Sequence, residues 1–257
     1  MSLAPTDYDF GAPANYAFAE KITCSNDEAR RMYVEAFGHM LNYNHEQAIA
    51  CFTKCTELDP NCAMAWWGIA YCLSSSYNWS AGLGPGYDAI SQAVSLKDHC
   101  SELEQDLIMA LSKRHTKEAR DNANPAALNM GNSPELNQAF ADAMAPLYEK
   151  YSGDLDVTAV YVEALMNLNP WTLWNKDAST GEITPVDDST LMLIKIMEDA
   201  FENVPGAKEH PALCHLYCHA LELSPYPERA LPAADVLRTL MPGCGHLVHM
   251  PSHIDAW

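Results

Sequence analysis

Six of the ten histidines lie in the last 48 residues of the sequence, and two of them form its closest group of metal-ligating side chains. That group is His215-x3-His219-x2-Glu222. At about 100° per residue, a helix would place these three side chains within about 60° of one another. Two imidazoles and one carboxylate on one face are typical ligands of a divalent transition metal, and they leave coordination positions open for water, dioxygen or a substrate.

A second group of histidines follows, formed by His246, His249 and His253. Pro251 lies among them and cannot occupy the interior of a helix without breaking its hydrogen bonds. We therefore expect Pro251 at the first position of a helix and Met250 in an extended conformation. This places His249 in a connecting loop and His253 in the first helical turn. We predict that at least one of these two rings approaches the first group closely enough to share a ligand.

Other interpretations of these residues remain open. A single histidine is more often a hydrogen-bonded core or capping residue than a ligand, and the whole cluster could be a hydrogen-bonded network. His210 directly precedes Pro211 and is a candidate for the start of a helix. Cys214 and Cys218 alternate with the first histidine pair at positions typical of core packing, although a thiolate at Cys218 would favour zinc or copper.

The elements that must position these residues are predicted to be helices, because apolar residues recur at spacings of three and four. Residues rich in Gly, Pro, Asn and Asp at about 74–86, 120–134 and 169–188 predict long loops. No run of alternating strand residues is evident. The predicted helices span about 27–42, 45–58, 87–97, 101–116, 135–151, 155–168, 189–203, 211–223 and 227–240, with a further one that contains Met64, Trp67, Gly68 and Tyr71.

Part of the sequence matches the tetratricopeptide pattern. Ala48 and Phe52 are four residues apart, and Pro60 follows Ala48 by twelve, as in the second half of that repeat. Gly68 lies where the repeat has a small residue that lets paired helices approach closely. The other matching positions are Met64, Trp67 and Tyr71 and, near the C terminus, Ala230, Ala234 and Pro242. We predict an all-α fold: an N-terminal arm at 1–25, then a right-handed, TPR-like solenoid of helical hairpins over 26–257, with long loop insertions.

Such a solenoid has a concave face that insertions can close into a pocket. The predicted loops are rich in aromatic residues that either anchor the loops or line that pocket: Trp79, Trp171 and Trp174. Three large side chains of the repeat are expected in the core: Met64, Trp66 and Trp67.

Charge and composition exclude several classes of partner. Asp and Glu outnumber Lys and Arg by 34 to 15, giving a net charge of −19, which disfavours binding to nucleic acid. No apolar run approaches the roughly 20 residues of a membrane span, and the first residues do not resemble a signal peptide. We expect a cytoplasmic protein in which the nine cysteines are reduced thiols.

Several segments resemble a family of tetratricopeptide-repeat proteins found widely in bacterial genomes. They are HPALCHLYCHALE (210–222), SPYPERALPAAD (224–235), GHLVHMPSH (245–253), NHEQA (44–48), DPNCAMAWWG (59–68) and ALMNLNPW (164–171). The resemblance implies that His45 belongs with the C-terminal histidines and that further repeats follow residue 257. It implies apolar or aromatic residues where Cys214 and Cys218 stand, and it implies no particular reaction.

Two functions compete on this basis. The first is a metal-dependent enzyme, an oxidase, oxygenase or hydrolase, that holds one or two ions of copper, zinc, iron or a similar metal in a pocket closed by the loops. The second is a scaffold that binds a peptide on its acidic concave face, with structural histidines. The ligand is a small molecule or a peptide in either case, and catalytic residues are not assigned. The predicted metal ligands are His215, His219, Glu222, His249, His253, His246 and His45.

The end of the sequence suggests an open edge. The helix beginning near Pro251 ends after about two turns and leaves the apolar residues Ile254 and Trp257 without a following helix. Repeat arrays normally end in a polar capping helix. We therefore expect the solenoid to continue beyond residue 257 or to be completed by another subunit, for example in a homo-oligomer.

Overall fold

The structure is a computed structural model that describes residues 10, 21–78, 85–122 and 133–256. These residues are mostly helical, as the apolar spacing predicts. They group into two units, one ending at Leu147 and one beginning at Tyr148. Most of the predicted N-terminal arm and parts of the predicted loops at 74–86 and 120–134 lie outside the described residues, as does Trp79.

The first unit consists of consecutive helices. Each of the first four packs against the next one along the chain. Local capping fixes several starts: the Asn26 side chain accepts a hydrogen bond from the Ala29 amide, and Ser101 and Glu104 form a reciprocal capping box. The helices are α1 (Asp27–Leu41), α2 (His45–Leu58), α3 (Ala63–Cys72), α4 (Pro85–Leu96), α5 (Glu102–Ser112), α6 (Lys117–Asp121) and α7 (Pro134–Lys150), the last of which crosses into the second unit.

Gly68 has the role that its place in the repeat pattern predicts. A Cβ atom at this position would lie 2.4 Å from Cζ of Phe52, far inside van der Waals contact. Phe52 is completely buried on α2, whereas Gly68 lies on α3. The missing side chain therefore allows these two helices to pack closely. Met64 and Trp67 are buried in the same unit, as expected, whereas Trp66 is half-buried.

The second unit is built around one central helix. Every residue of that helix except Ala212 is buried, and it packs against four others. The elements are α8 (Leu155–Met166), β1 (Trp174–Lys176), β2 (Ile183–Pro185), α9 (Asp188–Asn203), the central α10 (Pro211–Leu221), α11 (Leu231–Leu240), α12 (Gly245–His249) and α13 (Pro251–Asp255). Short 3-10 turns at Ala207–Glu209 and Pro227–Ala230 precede α10 and α11.

Two predictions of secondary structure were wrong in detail. The segment 169–188 is not entirely loop, because β1 and β2 pair antiparallel within it. Their connection is closed by the Asp177 side chain, which accepts hydrogen bonds from the amides of Ser179 and Thr180, and by Gly181 at φ +75°. Strands of three residues are too short to show alternation. The helix predicted over 101–116 is likewise interrupted, since α5 ends at Ser112 and Thr116 caps α6.

The last helix of the second unit packs within that unit. Ile254 is only 4% exposed, and α13 packs on α10 and α11. That the solenoid continues beyond residue 257 or is completed by another subunit stays a prediction. Trp257 lies outside the described residues.

Candidate metal centre

The central helix α10 presents two histidines that converge, as their spacing predicts. The ring centroids of His215 and His219 lie 4.8 Å apart. His215 is completely buried and His219 almost so. Glu222 directly follows α10 as its C-cap residue, and it is also buried. The predicted face of two imidazoles and one carboxylate therefore exists, in the interior of the second unit.

The second histidine group is more regular than expected. Pro251 is the first residue of α13, as predicted, but Met250 is helical, with φ −53° and ψ −37°. Its amide donates to the carbonyl groups of His246 and Leu247. A residue before proline is biased away from the helical region without being barred from it. The prediction that Met250 is extended and that His249 lies in a loop was wrong, because His249 is the last residue of α12.

The consequence is that α12 and α13 follow each other almost without a break. The rings of His249 and His253 lie one turn apart, with centroids 4.8 Å apart. Their Nε2 atoms are 3.0 Å from each other. The simple spacing of four residues therefore describes this pair correctly, even though a proline lies between its members.

The two groups meet through two contacts. Nε2 of His246 lies 3.0 Å from Nε2 of His215. Nδ1 of His253 lies 2.5 Å from Oε2 of Glu222, and the other carboxylate oxygen lies 2.8 Å from Nδ1 of His219. The prediction that His249 or His253 approaches the first group is confirmed for His253. Five imidazoles and one carboxylate thus form a continuous array, named here the histidine array: His246, His215, His219, Glu222, His253 and His249.

Two subsets of the histidine array have the dimensions of a metal site. In each, one ligand atom from every residue lies within 4.8 Å of the others. Metal–nitrogen bonds of about 2 Å at the tetrahedral angle place two ligand nitrogens about 3.3 Å apart. The 3.0 Å separation between Nε2 of His215 and Nε2 of His246 is close to that value. The subsets are His215 with His219 and His246, and His219 with Glu222 and His253.

Glu222 is better placed to orient imidazoles than to bind a metal itself. Each of its carboxylate oxygens lies at hydrogen-bond distance from one Nδ1 atom, one from His219 and one from His253. A carboxylate that accepts Nδ1–H fixes the tautomer of the ring and leaves Nε2 as the ligand atom, an arrangement common behind metal-bound histidines. The geometry therefore favours His215, His219 and His246 as direct ligands, with Glu222 behind His219.

Burial shifts the pKa of the two α10 histidines of the array. Burial lowers the pKa of His215 well below its ordinary value, and the neighbouring rings lower it further. Burial also lowers the pKa of His219, although the hydrogen bond to Glu222 opposes this. At Glu222 burial raises the pKa, but the hydrogen bonds with His219 and His253 outweigh it, so the net shift is downward. Neutral imidazoles beside an ionised carboxylate are the protonation states that metal binding requires.

One end of the array opens to the surface. A pocket of about 410 Å³ is lined by Glu222, Leu223, His249, Ser252, His253 and Ala256. Trp171 borders the array from another direction, with its ring edge-on to His219 at 5.5 Å. It is 49% exposed and has φ +62°, a conformation that costs a non-glycine residue energy. The sequence predicted that the aromatic loop at 169–188 could line a pocket, but it did not distinguish Trp171 from Trp174. Trp174 instead donates a hydrogen bond to the Ala220 carbonyl at 2.7 Å.

Other candidate residues have different positions. His45 lies in the first unit at the start of α2 and stacks on Tyr43, so its membership of the metal centre stays a prediction. His210 caps α10 by accepting from the Leu213 amide, as its place before Pro211 suggests. Cys218 is completely buried and belongs to neither subset found among the described residues. All nine cysteines are free in the structure.

Comparison with known proteins gives no relative from which function could be transferred. No protein-family model matches the chain, and no significant match was found among curated proteins or solved structures. In the part of the chain that the structure describes, none of the helices combines the length and apolar content needed to cross a membrane. The functional conclusion therefore depends on the geometry of the histidine array.

Proposed function

We propose that the second unit carries a transition-metal centre at which a metal-dependent hydrolysis or oxidation takes place. The observation that supports this most directly is the convergence of five imidazoles, with Glu222 accepting from two of them on the Nδ1 side. Nitrogen ligands of this kind suit copper, zinc and iron. The ion would supply a Lewis acid and activate water or dioxygen, while the histidines hold it and Glu222 orients their rings.

The opening of the array favours a reactive site over a purely structural one. Structural zinc sites are normally closed by four protein ligands, whereas catalytic sites keep a position for water or substrate. Here His215 is completely buried, while His249 and His253 line an open pocket of about 410 Å³. A small molecule or a short peptide in that pocket would meet the exposed end of the array. The proposed partner class is therefore a small organic ligand rather than a nucleic acid.

The repeat architecture and the location of the protein belong to the same proposal. A TPR-like solenoid is supported by helices that pack consecutively in the first unit and by the fit of Gly68 against Phe52. A cytoplasmic location is supported by the nine free cysteines, because thiols stay reduced in that compartment. We also propose that the protein forms a homo-oligomer.

One observation favours the competing scaffold function. Two Nε2 pairs at 3.0 Å also fit a hydrogen-bonded network in which each pair shares one proton. In that case the array would hold α10, α12 and α13 together, and the acidic surface would bind a basic peptide.

Metal analysis of protein purified without a histidine tag separates the two functions. We expect the wild-type chain, reconstituted with zinc, copper or iron and desalted, to retain near-stoichiometric metal. His215→Ala should bind about one equivalent of metal less than wild type, whereas His99→Ala, which removes an exposed histidine of the first unit, should bind as much as wild type. Circular dichroism would verify that each variant is folded. Wild-type protein that retains none of the three metals would overturn the proposal and favour the scaffold.

A further inference from the structure

A second cluster of metal-ligating side chains lies in the first unit, far along the sequence from the histidine array. Glu35 and His39 are one turn apart on α1, and Cys51 faces them from α2. All three are buried, with exposures of 6%, 4% and 0%. A carboxylate, an imidazole and a thiol therefore meet at the buried interface of two helices.

The Cys51 thiol donates a hydrogen bond to Oε1 of Glu35, and the separations within this cluster also fit a metal site. One ligand atom from each residue lies within 4.8 Å of the other two. Oε1 of Glu35 lies 3.6 Å from Sγ of Cys51 and 3.9 Å from Nε2 of His39. Zinc bonds of about 2.3 Å to sulfur and 2.1 Å to oxygen and nitrogen, at tetrahedral angles, give separations of about 3.6 and 3.4 Å. The separation between Cys51 and Glu35 agrees with this geometry, whereas the separation between His39 and Glu35 would have to shorten by about half an ångström.

We propose that Glu35, His39 and Cys51 bind one Zn²⁺ ion and that this ion ties α1 to α2. Two properties of the donor set support zinc. A thiolate, an imidazole and a carboxylate are the three ligand types that Zn²⁺ takes in proteins. One thiolate and one carboxylate also balance the charge of the ion, so the buried site has no net charge and avoids the cost of burying an uncompensated ion.

The surroundings of Cys51 fit this role. The side-chain amide of Gln47 lies one turn before Cys51 on α2 and donates to its Sγ at 3.8 Å. A donor directed at the sulfur stabilises the thiolate, which is the form that binds metal. Burial lowers the pKa of His39, so its ring is neutral and able to bind at neutral pH.

Cobalt titration tests this site independently of the proposed function. Co²⁺ replaces Zn²⁺ in such sites, and a thiolate ligand adds an intense near-ultraviolet charge-transfer band that imidazole and carboxylate ligands lack. We expect this band to saturate at one equivalent of Co²⁺ in His215→Ala, where the array does not compete for the ion, and to disappear on addition of Zn²⁺. It should persist in His215→Ala, which removes a ligand of the histidine array. Failure of the array therefore leaves this result unchanged.

Matched cysteine variants identify the ligand. Cys51→Ser should abolish the band, whereas Cys55→Ser on the same helix and Cys218→Ser near the histidine array should retain it. Glu35→Gln should keep a band at the same wavelength but weaken cobalt binding at least tenfold, so the site can be tested even if Cys51→Ser fails to fold. The absence of a band in the wild-type protein would overturn the proposal. Loss of the band in Cys55→Ser or Cys218→Ser, with retention in Cys51→Ser, would overturn it too.

Discussion

Replacement of Glu222 by Gln gives the sharpest test of how the histidine array is organised. The wild-type carboxylate accepts a hydrogen bond on each oxygen, from Nδ1 of His219 at 2.8 Å and from Nδ1 of His253 at 2.5 Å. A Gln side chain of nearly the same shape offers one acceptor oxygen and one NH2 donor. One of the two rings must therefore present an unprotonated Nδ1 to the amide and move its proton to Nε2.

The expected loss of metal affinity follows from the loss of Nε2 of that ring as a ligand atom. A ring that carries its proton on Nε2 cannot bind a metal through Nε2 until the tautomer is reversed against the Gln hydrogen bond. Changes to groups that orient metal-bound histidines typically reduce affinity by 10- to 100-fold. We expect Glu222→Gln to weaken metal binding by that factor, which corresponds to about 1.4–2.8 kcal/mol.

Competition with a chromophoric chelator would measure the affinity. Asp255→Asn is a matched control, because it removes one carboxylate charge from α13, close to His253 in sequence, without touching a ring. In the structure Asp255 is exposed and pairs with Arg238. The control should bind metal within about twofold of wild type, since exposed charges contribute little. Nitrogen NMR of the imidazoles would report the tautomers directly.

Two results would refute this reasoning. If Glu222→Gln binds metal as tightly as the Asp255→Asn control, Glu222 does not orient ligands. If His219 and His253 of the metal-free wild-type protein both carry their proton on Nε2, the assigned hydrogen bonds are wrong.

Three further predictions concern other parts of the molecule. Gly68→Ala should lower the free energy of unfolding in urea by about 1–3 kcal/mol, because the new Cβ would overlap the Phe52 ring, and Phe52→Leu in the same chain should recover part of that loss. Burial lowers the pKa of His115 to about 4. The contribution of this shift to stability is complete above about pH 6.5 and is lost as the pH falls toward 4. When the pH is lowered from 7 to 5, the free energy of unfolding in urea should therefore fall by up to about 2 kcal/mol less in His115→Gln than in wild type. Bound metal at 1,000 times its Kd adds about 4 kcal/mol, so a chelator should lower the Tm of metal-loaded wild type by more than that of His215→Ala, which lacks the metal of the array; equal shifts would contradict a metal in the array.

The helical elements could be predicted from sequence because local signals agreed with packing. The predicted bounds of α2, His45 and Leu58, match the structure although the side chain of Asn44 makes no capping hydrogen bond, and the repeat pattern identified Gly68 as a point of close approach. The hairpin of β1 and β2 could not be predicted, since two strands of three residues carry almost no periodic signal and depend on the turn chemistry at Asp177.

The histidine array shows where sequence reasoning failed and why. The spacing of His215 and His219 was sufficient to predict a shared face, because it lies within one regular helix. Residues before a proline are biased away from the helical conformation, and for this reason Met250, before Pro251, was predicted to be extended. In the structure Met250 is helical. The cluster of Glu35, His39 and Cys51 was not predicted. The i,i+4 spacing of Glu35 and His39 is a local signal, but the approach of Cys51 depends on how α1 packs on α2.

The number of protons released when metal binds should differ between the two proposed centres, and one experiment can therefore separate them. Burial keeps His215 and His219 neutral, so a metal can enter the histidine array at neutral pH by shifting tautomers, with little release of protons. The cluster in the first unit must convert the Cys51 thiol to a thiolate and should release close to one proton per zinc ion. Calorimetry of zinc binding in two buffers of different ionisation enthalpy measures this number. We expect about one proton in His215→Ala, where the cluster alone binds, and close to none in Cys51→Ser, where the array alone binds. Equal proton release in the two variants would contradict the assignment of the thiolate to the first unit.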